Sequence, residues 1–141
     1  MTDEVEPGLS DQYRKASPWP VFVALGVVVS EVGVLLGLFP VAVGGLLLFG
    51  GTVAAILRES GYVGRPWLAL ASLGVVLGGL GTAAVLWALG VDGLSVAAVT
   101  DPLNPIAYRG TAIAVAGLLL VGVGAVVRLA QPATPGRPPT L

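Results

Sequence analysis

Away from their ends, the long apolar runs hold five residues with groups able to do chemistry: Ser30, Glu31, Thr52, Ser72 and Thr82. Only Glu31 carries a titratable group. It stands in GVVVSEVGVLL (Gly26 to Leu36), where nine of eleven residues are apolar or glycine and Ser30 is its only polar neighbour. A charged carboxylate in the middle of a membrane span costs at least ~2.5 kcal/mol on insertion scales, so a glutamate there needs a reason. Three are open: a neutral acid hydrogen-bonded to a backbone carbonyl, Thr52 or Thr82; a contact to a partner subunit through Ser30 and Glu31; or a proton path. The last needs a relay of further titratable groups, and the runs hold none. The basic residues stand at the ends of the four runs delimited below, Arg128 at the close of the fourth, and Arg109 falls in the segment between the third and fourth. Glu31 is therefore expected to be uncharged, or paired with a group outside this chain.

What the sequence lacks narrows the chemistry further. Its 141 residues include no cysteine and no histidine. That removes thiolate nucleophiles and disulfides, the usual haem, copper and zinc ligand, and the usual general base at neutral pH. No catalytic residue, cofactor site or metal site is expected, and the chain reads as a non-enzyme. A net charge of −1 offers no basic surface for nucleic acid. Charged residues make up 11% of the chain, against roughly 25% in soluble domains, and mean hydropathy is +0.92. The expected solvent is a lipid bilayer.

The elements that must hold these residues are all helical. The spacing predicts a polar cytoplasmic segment over 1–17 and a four-helix transmembrane domain over 18–130. Its spans cover about 21–38, 41–57, 67–89 and 111–129, with an outer segment over 90–110. A disordered Pro-rich tail, 131–141, follows. Eighteen helical residues rise about 27 Å, near the roughly 30 Å hydrocarbon core. Ser17 is an expected N-cap, with Pro18 and Pro20 in the first turn. Phe39-Pro40 is read as the tight hairpin between spans one and two. Asn104 is expected to cap a helix starting at Pro105. With four spans, Arg14, Lys15, Arg58, Arg65, Arg128 and Arg137 share one side and only Arg109 takes the other. That bias puts both termini in the cytoplasm. Trp19, Trp67, Trp87 and Tyr108 then fall at the two membrane interfaces.

Small residues mark the contact faces. Gly26, Ser30, Gly33 and Gly37 form a stripe on the first helix, with Glu31 turned about 130° away from it. Ala71, Gly74, Gly78 and Gly81 form a stripe on the third, and Gly110, Ala114, Gly117 and Gly124 on the fourth. Such residues let helix backbones approach closely in lipid. The two hairpins also resemble one another. PWPVFVALGVV (18–28) aligns with PWLALASLGVV (66–76) at an offset of 48 residues. VAVGGLLLFG (41–50) aligns with IAVAGLLLVG (113–122) at an offset of 72, matching at seven positions. Either the chain is an internal duplication with 24 residues inserted in the outer segment, or a four-letter alphabet has produced a coincidence.

The segment GLSDQYRKASPWPVFVALG followed by SEVGVL (Gly8 to Leu35) resembles a family of small haloarchaeal membrane proteins encoded beside haem–copper terminal oxidase genes, the "cox cluster" proteins. That resemblance implies an accessory subunit or assembly partner of a respiratory terminal oxidase in the cell membrane, and carries no functional residues over. A homo-oligomer is the other expected association. The rival reading is a small transporter or proton-conducting channel using Glu31. A transport path generally needs several intramembrane polar groups and broken helices, and polar groups are sparse here.

Overall fold

The computed structural model describes residues 16–133; the segment 1–15 and the tail from 134 onward, with Arg14, Lys15 and Arg137, lie outside the described residues. Within them the chain forms five helices and no strand: α1 (Trp19–Leu35), α2 (Phe39–Glu59), α3 (Pro66–Leu89), α4 (Val96–Val99) and α5 (Pro105–Ala130). α2, α3 and α5 are long and apolar enough to cross a membrane. α1 has 17 residues and falls short of that length, so the structure has three membrane-length helices where four were expected.

The shortening has a local cause. Gly37 adopts φ +66°, the left-handed conformation that costs glycine no Cβ clash. Its N–H donates to the Val34 carbonyl at 3.2 Å, and the Leu38 N–H donates back to the Gly33 carbonyl at 2.8 Å. This pair of bonds is a Schellman cap, which satisfies carbonyls at the end of α1. The expected span end, Leu38, therefore lies past the cap. Phe39 and Pro40, read as the turn, instead open α2, where a proline in the first turn loses no helical bond. At the other end of α1, Pro18 occupies the N-cap position and no side chain caps the helix, so Ser17 does not serve. Asn104 caps α5 as expected, its Oδ1 accepting from the Ala107 N–H at 3.2 Å.

α1 packs on α2 and α3 on α5, two antiparallel pairs, and α2 joins the pairs by lying against α5 and α3. The pairs are close because glycine removes the side chain from the contact. A Cβ on Gly26 would lie 2.8 Å from the Gly45 carbonyl oxygen, and one on Gly33 2.7 Å from Ala42 Cα. On Gly74 it would lie 2.6 Å from the Gly117 carbonyl oxygen, and on Gly81 2.5 Å from that of Gly110. Gly124 sits against the backbone of Trp67 and Ala71. Gly78 takes part through its backbone, since a Cβ on Gly117 would fall 2.7 Å from Gly78 Cα. Gly37 belongs to none of these contacts; it is the cap, and a Cβ there would meet only Pro102.

These contacts recur in register. Gly26, Ser30 and Gly33 meet Gly45, Phe49 and Ala42; forty-eight residues on, Gly74, Gly78 and Gly81 meet Gly117, Val121 and Ala114, each seventy-two residues beyond its counterpart. The hairpins differ in height. In that frame α3 runs six residues past the end of α1, and α5 starts six residues before α2. The second hairpin thus stands roughly 9 Å taller at this end.

Candidate functional site

Glu31 lies at this step. It is four residues from the C-terminal end of α1, and Arg109 is four residues from the start of α5. The α1 stripe of Gly26, Ser30 and Gly33 is buried against α2, which turns Glu31 toward α5. Arg109 belongs to the extra turns of α5 that rise above the shorter hairpin. Its Nη2 donates to Oε2 of Glu31 at 2.6 Å, a short charge-assisted bond. Both side chains are just under half exposed, 42% for Arg109 and 49% for Glu31.

This corrects the expectation that Glu31 finds no basic partner inside the chain. The run boundaries had set Arg109 aside as part of an outer segment ending at 110. In the structure α5 begins at Pro105, so Arg109 is helical and faces α1. Glu31 is correspondingly near a helix end. A guanidinium on a flexible stem reaches from a neighbouring turn toward a carboxylate, which a count of charges within hydropathy runs does not register.

Two further contacts brace the step. Tyr108, 2% exposed, packs edge-to-face on Phe39 at the start of α2, with ring centroids 5.7 Å apart and planes at 79°. It was expected at the membrane interface, where a tyrosine keeps its hydroxyl wet; instead its ring fills the junction between the hairpins. Its hydroxyl is buried with no hydrogen-bond partner among the described residues. Pro102, in the outer segment, comes down over the hairpin-one turn, within 3.6 Å of where a Cβ on Gly37 would lie.

The other hydroxyls on the long helices turn inward on their own backbones. Thr52 donates to the Leu48 carbonyl at 2.6 Å, Ser72 to Ala69 at 3.2 Å, Thr82 to Gly78 at 2.8 Å and Thr111 to Ala107 at 2.8 Å. Thr52 and Thr82 are therefore not the partners of Glu31. At the opposite end of the molecule the Arg128 guanidinium lies 4.9 Å over the Trp67 ring, a cation–π contact joining α3 to α5.

The segment joining α3 to α5 is apolar and exposed. Ser95 caps α4, accepting from the Ala98 N–H at 3.1 Å, and Asp101 accepts from the Leu103 N–H at 2.9 Å. These bonds fix a loop that presents Val91 (76% exposed), Val96 (81%) and Leu103 (89%) outward.

Among the described residues, an all-helical arrangement of two glycine-packed hairpins, with three membrane-length helices and one internal ion pair, defines the class. Residues 1–130 match the model of DUF7541, a family of unknown function, and the chain belongs to that family. The matched region ends at the last residue of α5. No curated protein and no solved structure matches the chain.

Proposed function

We propose that the chain is a non-catalytic, four-span protein of the cell membrane whose work is to bind another membrane protein. α1 is the fourth span in this reading. It lies backbone-to-backbone along α2 from Gly26 to Gly33, so a bilayer that takes up α2 takes up α1 with it. Its 17 residues rise roughly 26 Å, a mismatch of a few ångströms that costs fractions of a kcal/mol per Å. Glu31 then sits within a turn or so of the outer interface, where a paired charge is cheaper than at the midplane. The six-to-one distribution of positive charge supports cytoplasmic termini and an outward-facing 90–104 segment. The recurrence of the same glycine contacts at two fixed offsets supports an ancestral duplication of one hairpin.

The observation that carries the binding reading is where the polar groups go. The four hydroxyls of Thr52, Ser72, Thr82 and Thr111 are spent on their own helices and Glu31 on Arg109. Among the described residues no polar chain links one helix to the next across the bilayer, which weighs against the transporter or channel alternative. What remains on the outside is apolar surface, including Val91, Val96 and Leu103, suited to a protein or lipid contact. The partner we propose is a haem–copper terminal oxidase, on the resemblance carried by Gly8 to Leu35. The test is purification of the tagged chain in mild detergent and identification of what comes with it. Oxidase subunits should be recovered, and replacing Gly93–Thr100 by a Gly/Ser linker should reduce them while insertion is unchanged. Recovery of the chain without oxidase subunits would overturn the proposal.

A further inference from the structure

The two hairpins meet through different faces. α5 seats Ala112, Ala116 and Leu120 in the groove of hairpin one, against Ala42, Val43 and Gly50 of α2. A Cβ on Gly50 would lie 2.5 Å from Leu120 Cδ1. Shifted by 72 residues, the groove side becomes Ala114, Val115 and Gly122, and the inserting side becomes Pro40, Gly44 and Leu48. The shifted faces are only partly covered within the chain: Ala114 meets Gly81 of α3, and Val115 packs beside the core between the hairpins. Ala114 and Val115 line an apolar groove of about 390 Å³ between α3 and α5. Gly122 has nothing within 4 Å of a Cβ position, nor does Gly44, and Pro40 is exposed.

We infer that a second copy of this chain fills that groove, laying Pro40, Gly44 and Leu48 of its α2 where α5 lies in hairpin one. The occupant is argued from the chain itself: the equivalent groove already holds the equivalent helix, and each end of the molecule offers the half that the other end lacks. The charges agree. The positions matching Glu31 and Arg109 are Gly79 and Gly37, so the copy-to-copy contact strands neither member of an ion pair. Thr82, the polar residue lining the groove, is already bonded to the Gly78 carbonyl. Contacts between unlike faces run head-to-tail and close only as a ring. The smallest ring is two chains, each laying its α2 in the groove of the other, a dimer about an axis along the membrane normal.

The chain has no cysteine, so paired cysteines report directly. In the purified full chain, alone in lipid nanodiscs, Leu48→Cys with Gly122→Cys should cross-link two copies at least tenfold more than Leu48→Cys with Val76→Cys. Native mass spectrometry of the unmodified chain should show a dimer. Gly79→Leu and Gly44→Leu each add a side chain into open space, so they should keep the fold and lower the dimer fraction at least tenfold. A monomeric wild-type chain would overturn the inference. So would equal cross-linking of the two cysteine pairs, or a dimer unmoved by either leucine variant. Because no oxidase is present in this experiment, its failure leaves the oxidase reading standing, and a dimer does not establish it.

Discussion

Hairpin one (α1 and α2) and hairpin two (α3 and α5) share a packing scheme and differ at the end where Glu31 meets Arg109. In both, glycines on the first helix meet the backbone of the second at corresponding positions. In hairpin one a left-handed glycine closes the turn after Leu35. In hairpin two the helices continue six residues further in the repeat frame and are joined by the 15-residue segment from Gly90 to Asn104. The difference shows how two hairpins with one packing scheme can differ at their ends without altering the glycine contacts that hold them. The added turns bring in Tyr108 and Arg109, and the lengthened connection brings Pro102 back over the shorter hairpin. The ion pair is thus a product of unequal height, since it joins a residue inside the repeat to one in the extension.

The largest effect that would break this comparison is at the glycine contacts. Gly81→Leu and Gly33→Leu place a side chain against backbone on both hairpins, where neither partner can yield. Overpacking a close contact costs about 1–3 kcal/mol and more when backbone must move. Both variants should lose most of the folded, detergent-stable protein, measured by size-exclusion yield. Gly79→Leu, two residues from Gly81 and facing open space, should retain it. Equal losses for Gly79 and Gly81 would show that the repeat contacts are not what holds the pairs.

A smaller effect separates the two ends. Gly37→Ala forces an L side chain into φ +66°, at a cost of roughly 1–2 kcal/mol, and should lower the thermal midpoint of the whole protein. An Ala substitution at Gly51, helical and open, should leave that midpoint the same or raise it, since alanine favours helix over glycine by about 1 kcal/mol. If the midpoint does not fall in Gly37→Ala, the cap is not the feature that ends α1.

The smallest concerns the junction. Tyr108→Phe keeps the ring against Phe39 and removes a buried hydroxyl without a protein partner. The midpoint should stay or rise, because leaving such a group unpaired costs about 1–3 kcal/mol. A clear fall would mean that the hydroxyl is bonded in the membrane-embedded protein.

Much of this architecture was legible from residue types alone. Apolar runs of membrane length, prolines at helix starts, Asn104 before Pro105 and the two aligned hairpins all act locally, through helix length, capping and periodicity. What escaped was set by tertiary geometry. Gly37 fits the small-residue stripe of α1 on a helical wheel, yet its place after Leu36 makes it a cap; a glycine two residues before Phe39-Pro40 was the available signal. Arg109 and Glu31 are 78 residues apart, and their meeting depends on how far α5 extends past α2. The same extension buried Tyr108, whose type and position alone suit an interface equally well.

The Glu31–Arg109 ion pair is a bond between the two hairpins. A double-mutant cycle on thermal or chemical stability in nanodiscs measures it: Glu31→Gln, Arg109→Gln and the two together. Each single change leaves one charge without its mate beside lipid, and the double change leaves none. Each single variant should be less stable than the double variant would suggest by addition. The coupling energy should reach about 1 kcal/mol, the upper end for exposed pairs in water. Strict additivity, with both single changes costing the same alone as together, would contradict it.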